Sequence, residues 1–228
     1  CNQACIGHFQ LGLSISCIQH PETGRELHFE SKPPAVTRRK IMVIGGGPAG
    51  LKAAAVAAQR GHEVHLHERE AQTGGQAKLA QLLPTRAEFG GIITNLTREA
   101  ERHGAIIHRR SEVTRDVLIR NKPDAVILAT GSRPCAPPLE GEPAQIVHAA
   151  DILAGKAKTG GRVVVYDWHG DWLGAGICER LAAEGVHVRL AVNAPCAAAN
   201  IQTYVRFETV ARLHRLGVDV HPWLRLYG

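Results

Sequence analysis

Ile41-Met42-Val43-Ile44-Gly45-Gly46-Gly47-Pro48-Ala49-Gly50, answered by Glu68 at the end of the next apolar stretch, is a nearly complete dinucleotide-binding fingerprint. In that pattern Gly45 permits a turn too tight for a Cβ, Gly47 lets the backbone reach a pyrophosphate, and Gly50 lets the following helix pack closely on its strand. The N–H groups of the first helical turn, Ala49 among them, and the positive end of the helix dipole then face the anion. Glu68 is placed to accept hydrogen bonds from ribose hydroxyls. A glycine triplet alone is weak, but here its context is present: a strand over 40–44, an Ala-rich helix over about 49–60 stopped by Gly61, and a strand over 64–67.

Working outward, 228 residues accommodate one large or two small domains, and 44% apolar content excludes a disordered chain. Lys and Arg give a net charge of +6 but are scattered, and only Thr37-Arg38-Arg39-Lys40 forms a short cluster, read as a solvated linker. With aromatics at 4%, base-stacking platforms are not expected, and no nucleic-acid partner is assigned. No uncharged apolar stretch approaches the roughly 20 residues of a membrane span, and no charged leader opens the chain. The expectation is a cytoplasmic protein.

Downstream of the fingerprint, Thr73-Gly74-Gly75-Gln76 comes after the ribose acid, where glycines let a loop lie flat against a ligand and Gln76 can hydrogen-bond it. Thr85-Arg86-Ala87-Glu88 reads as a capping box opening a helix to about His103, stopped by Gly104. Strands are expected over 105–109 and 125–129, the latter running into Thr130-Gly131-Ser132. A second strand–helix–strand pattern occupies 162–166, about 173–184 and 186–192, and a helix over about 201–216 capped by Asn200 comes next. Val205, Val210, Leu213 and Leu216 mark its core face. The fold class is therefore α/β, a Rossmann-like domain followed by a partial second one, with boundaries placed at 1–37, 38–158 and 159–228.

The second phosphate loop departs from the first. Where glycines should stand it reads Asp167-Trp168-His169-Gly170-Asp171-Trp172-Leu173-Gly174, and the strand after it ends at Val192-Asn193 without a ribose acid. Two indoles obstruct backbone approach, and two carboxylates face the pyrophosphate position. A like-charge pair at about 4 Å costs on the order of 4 kcal/mol at an effective dielectric near 20, about a thousandfold in affinity. The second half-domain is therefore expected not to bind NAD(P)H.

Six cysteines divide into two groups. Cys135, Cys178 and Cys196 lie apart in apolar or small-residue settings and read as plain thiols. Cys1 and Cys5, followed after eleven intervening residues by Cys17, form a terminal set of soft ligands that points to zinc or iron–sulfur chemistry before disulfides. A cubane needs four ligands and only three are here, so this chain alone is expected to hold no stable cluster. His62, His65 and His67 lie along one strand and are assigned no metal. Trp168, His169 and Trp172 read as packing rather than a ligand cage. No Ser-His-Asp or Cys-x-x-Cys arrangement is present, and no catalytic residue is assigned.

The segments CNQAC, SCIQHPETGRE, IMVIGGGPAGLKAAAVAAQRGHEVHLHERE, TGGQAKLAQLLPTRAEF and DAVILATGSRP together resemble the C-terminal half of iron–sulfur flavoenzymes related to 2,4-dienoyl-CoA reductase, trimethylamine dehydrogenase and N-methylproline demethylase. The resemblance runs nearly end to end. It implies an FMN-carrying barrel ahead of this chain, a [4Fe–4S] cluster at the junction held by Cys1, Cys5, Cys17 and a further cysteine three positions before Cys1, and then a module for FAD (or ADP) and NAD(P). A final segment returning to the first domain is also implied. The resemblance further implies that Gln76 and Arg86 contact FAD, that Val113 lays backbone beside the adenine, and that Gly131 sits in a turn closing over the cofactor. The altered second loop is similar to the amine-dehydrogenase branch, whose members pass electrons outward to an acceptor protein. Two functions are implied: the FAD-binding, electron-transferring portion of an enzyme acting on a small amine or enoyl substrate, or an ADP-holding, non-redox structural module.

Overall fold

A computed structural model describes residues 3–29, 33–135 and 146–226. The N-terminal segment contributes two short helices, α1 (Ile6–Gln10) and α2 (Glu26–Phe29). Side chains farther along the chain anchor it: Asn95 donates to the Gln19 side chain at 2.6 Å, and Lys52 bridges Glu22 and Glu99 at 2.7 Å each. Then come β1 (Lys40–Ile44), α3 (Pro48–Gln59), β2 (Glu63–Glu68), α4 (Ala77–Ala80), a 3-10 turn at Ala87–Phe89, α5 (Gly90–Arg102), β3 (Ile106–Arg109), α6 (Arg115–Asn121) and β4 (Ala125–Leu128).

These strands form a wholly parallel sheet in the order β3-β2-β1-β4. Val43 of central β1 and Leu66 of β2 are fully buried against Leu51, Ala54 and Ala58 of α3 and Leu96 and Ala100 of α5. The run of alanines explains the close approach: a thin helix face brings α3 onto both the sheet and α5 without large side chains to interleave. Gly61 ends α3 with φ +90°, the left-handed stop expected at that position.

The opposite sheet face carries a histidine stack. His67 pairs with His108 across β2 and β3, their rings stacked at 4.6 Å, and His65 Nδ1 lies 3.0 Å from His108 Nε2. Glu63 Oε1 sits 3.1 Å from His65 Nε2, and Ser111 Oγ 2.8 Å from His67 Nδ1. Burial first, then the neighbouring imidazoles, holds His67 and His108 below the ordinary histidine value. A depressed folded value means the stability is present above the unfolded value, about 6.5, and is lost as pH falls through the folded one. Denaturation midpoints should therefore fall on acidification below about pH 6.5. His108→Asn should flatten that dependence, and an unchanged slope in the variant would contradict it.

The second unit contains α7 (Ala149–Leu153), β5 (Arg162–Asp167), α8 (Trp172–Ala183), β6 (His187–Val192), α9 (Thr203–Arg215) and β7 (Asp219–His221), with parallel strand order β5-β6-β7. Ile177 and Leu181 of α8 and Val188 and Leu190 of β6 are all essentially inaccessible. On α9 the buried positions are Thr209 and Leu213, whereas Leu216 is exposed, so the buried stripe is narrower than the sequence pattern implied. Arg212 instead turns to Glu179 of α8, 2.6 Å away.

The two compact units are Cys1–Gln81 with Glu88–Arg133, and Leu82–Ala87 with Pro134–Gly228. Thus the N-terminal segment groups with the first unit, the main division falls at 133/134 where 158/159 was expected, and α7 belongs to the second. The six residues 82–87 also belong to the second, because Leu83 fills the space beside Gly176, where a Cβ would lie 2.9 Å from its side chain.

Candidate functional site: a glycine loop at the strand ends

At the C-terminal end of β1 the chain turns so sharply that Gly45 takes φ +107°, and a Cβ there would lie 2.3 Å from the Ala129 carbonyl oxygen. Gly50 packs harder still, with the Gly45 carbonyl oxygen 1.9 Å from where its Cβ would stand. Gly47 differs from both. The nearest heavy atom to its missing side chain is Gly75 Cα at 4.0 Å, so this side of the loop is open. Gly47 is the N-cap of α3 with Pro48 at the first helical position, and Leu51 N donates to Gly47 O at 2.9 Å. Ala49 and Gly50 therefore present first-turn N–H groups, which have no partner within the helix, toward the open side.

Glu68 ends β2 beneath this loop and is buried. Its Oε2 accepts from Gly46 N at 2.8 Å and its Oε1 from Glu70 N at 2.9 Å. A carboxylate offers about four acceptor positions, so two backbone bonds fix its orientation and leave capacity for ribose hydroxyls. After β3 the chain is held to the same strand end, Ser111 N donating to Glu68 O at 2.8 Å. Val113, half-buried, stands two residues farther on.

The loop after β2 closes a second side. Gly74 N donates to Gly46 O at 2.7 Å, and a Cβ on Gly75 would lie 3.2 Å from Gly47 Cα, so the two loops lie backbone to backbone. From there Gln76 donates to Ser132 O at 2.9 Å, while Gly131, at φ +75°, has open space around it. Gly45, Gly47, Ala49, Gly50, Glu68, Gly75, Gln76 and Gly131 thus meet at the carboxyl ends of β1, β2 and β4. This is the crevice where ligands bind in open parallel sheets. Sequence reasoning missed Ser132 as the partner of Gln76 and Thr73, buried against Thr97 at 3.1 Å. The only signal for either was its place next to an assigned glycine.

Arg86 lies in the short segment that groups with the second unit. It is buried, with its guanidinium carbon 3.4 Å from the centroid of the Trp172 ring. The expected capping box is also absent: Thr85 has φ +60°, a conformation no N-cap takes, and the regular helix begins at Gly90. Cys1 lies outside the described residues. Cys5 and Cys17, both half-buried, are brought toward each other because Ser16 N donates to Ala4 O at 2.9 Å. Among the described residues no group of three metal-ligating side chains converges.

In the second unit Asp167 does not face outward as the spacing implied. Its Oδ1 accepts from Gly170 N at 2.9 Å and His169 N at 3.1 Å, and its Oδ2 is buried without a partner. Asp171 caps α8, accepting from Leu173 N at 2.8 Å. Trp168 leans edge-on against Tyr166, while Trp172 carries Arg86. Asn200 is not the cap of α9, which starts after Gln202; its amide donates to His169 O at 2.6 Å.

Residues 39–176 match the pyridine nucleotide-disulphide oxidoreductase family. The chain is 35% identical over 226 residues to an NADH oxidase of Thermoanaerobacter brockii, covering 96% of this chain and 34% of that protein. It is 37% identical over 187 residues to a probable N-methylproline demethylase of Rhizobium meliloti strain 1021, covering 82% of this chain and 28% of the relative. Among solved structures, 2-naphthoyl-CoA reductase bound to 2-naphthoyl-CoA superposes with a TM-score of 0.87 at 26% identity, covering 99% of this chain and 34% of that one. The chain therefore spans about a third of the length of the proteins it matches. Among the described residues no helix is long and apolar enough to cross a membrane.

Proposed function

The chain belongs to the pyridine nucleotide-disulphide oxidoreductase family, and from that membership we propose that it is the FAD-binding, electron-transferring portion of an iron–sulfur flavin oxidoreductase acting on a small amine or enoyl substrate. The observation that carries this reading is the paired loop in which Gly47 is open and Glu68 is oriented by two backbone N–H groups. Those residues fit an adenine dinucleotide: Gly47, Ala49 and Gly50 would hold its diphosphate, Glu68 would accept from its ribose hydroxyls, and Gly75, Gln76, Gly131 and Val113 would line the site. Relatives named as an N-methylproline demethylase, a dimethylamine dehydrogenase and a cinnamate reductase support the amine or enoyl substrate class.

Bound FAD supplies one- and two-electron redox chemistry, and this chain's residues bind it, orient it and hold its phosphates. Cys1, Cys5 and Cys17 would be thiolate ligands of a [4Fe–4S] cluster, and an FMN barrel would be the partner that reacts with substrate. An electron-acceptor protein would complete the route. In the purified protein the visible flavin band, with FAD released on denaturation and identified by chromatography, is the expected result. Release of ADP without flavin would replace this reading by the structural, ADP-holding one.

A further inference from the structure

We propose that Asp167 closes the second unit to nucleotides: its carboxylate fills the anion cradle of the β5–α8 loop as an internal substitute for a diphosphate. This goes beyond the first-unit reading and concerns a different loop. In a strand–loop–helix of this kind, the N–H groups between strand and helix are the donors that a diphosphate takes. Here two of them, from His169 and Gly170, donate to Asp167 Oδ1. The side chain is 6% exposed, and Oδ2 is enclosed without any hydrogen-bond partner.

The surroundings are shaped to this carboxylate. A Cβ on Gly174 would lie 2.3 Å from Asp167 Cγ and 2.4 Å from Oδ2, so the glycine that would otherwise admit a close helix–strand contact makes room for an acid. Asn200 braces the loop, donating from its backbone to Gly170 O at 2.9 Å and from its side chain to His169 O at 2.6 Å. The charged or titratable groups facing Asp167 are Asp171 and His169 of the loop and Cys178 one turn along α8. Burial, then the Asp171 charge, pushes the Asp167 carboxyl above its ordinary value, and burial with Asp167 beneath it pushes the Cys178 thiol up. The first unit is organised the other way: its acid comes from the next strand and lies beneath the loop, and Gly47 leaves the loop open.

The test uses the purified protein with its first-unit nucleotide saturated. NADPH and NADH are titrated by equilibrium dialysis, and hydrogen exchange is followed in peptides covering residues 166–178. Wild type is expected to bind no further nucleotide at physiological concentration and to show no added protection there. Asp167→Gly and Asp167→Ser should bind NADPH at least about tenfold more tightly than wild type, with new protection in that peptide. Asp167→Asn, which keeps an acceptor for both N–H groups, should stay closed. Wild-type hydrogen-exchange protection in peptides covering β6 and α9 shows that the second unit of each variant is folded, and the serine variant decides if the glycine variant does not fold. Saturable NADPH or NADH binding by wild type that protects residues 166–178, or folded Gly and Ser variants with no gain, overturns the proposal.

Discussion

Gly47→Val is expected to leave the protein folded and to empty it of nucleotide, lowering affinity by more than about a hundredfold, or about 3 kcal/mol. The two effects separate because of what surrounds the position. Gly47 has an ordinary extended backbone, φ −73° and ψ 177°, which valine adopts without strain. No protein atom lies within 4 Å of its missing side chain except Gly75 Cα at that limit. The added Cβ therefore enters open space on the side of the loop where a diphosphate would be held, and the valine methyl groups extend from it. Nucleotide released per chain, compared with wild type, measures the effect, and the thermal midpoint confirms the fold. A variant retaining the native level of nucleotide would place the site elsewhere.

Gly50→Ala should do the reverse, failing in stability rather than in binding alone. Its Cβ would stand 1.9 Å from the Gly45 carbonyl oxygen and 3.2 Å from Ala129 Cβ, and both neighbours are anchored in the turn and the sheet. Relief requires α3 to lift from β1, which disturbs the Leu51 and Ala54 contacts that bury the core. Overpacking of this kind costs about 3 kcal/mol, lowering the midpoint by about 10 °C. Gly160→Ala, where nothing lies within 4 Å and φ is ordinary, is the matched control and should shift stability by less than about 0.5 kcal/mol. Equal midpoints for the two variants would refute the close-packing argument.

Most of the first unit was legible because its signals are local. A strand, a glycine turn, a helix with a left-handed stop and an acid at the next strand end each depend on a few neighbouring residues, and Gly45, Pro48, Gly61 and Glu68 report them directly. The paired loops and the Gln76–Ser132 bond were only half legible, since the side-chain partner lies 56 residues away. What the sequence hid depends on tertiary packing. Thr85 and Glu88 have capping-box spacing, yet the chain at Thr85 has φ +60° because Leu83 and Arg86 are drawn to α8 and Trp172 of the second unit. Asp167 likewise reads as an outward repulsive charge until the two loop N–H groups and the space at Gly174 turn it inward.

The allegiance of residues 82–87 to the second unit also sets a schedule for biosynthesis. Leu83 leaves the ribosome about ninety residues before Gly176, against which it packs. At translation rates of about 5–20 residues per second, that interval is on the order of ten seconds. For that time an apolar side chain that ends 6% exposed has no partner from its own unit, while the strands on either side of it in sequence are already emerging and pairing. The nascent chain must therefore complete its first sheet around an unsatisfied excursion. This makes the order of synthesis, rather than the final contacts alone, part of what the sequence has to solve.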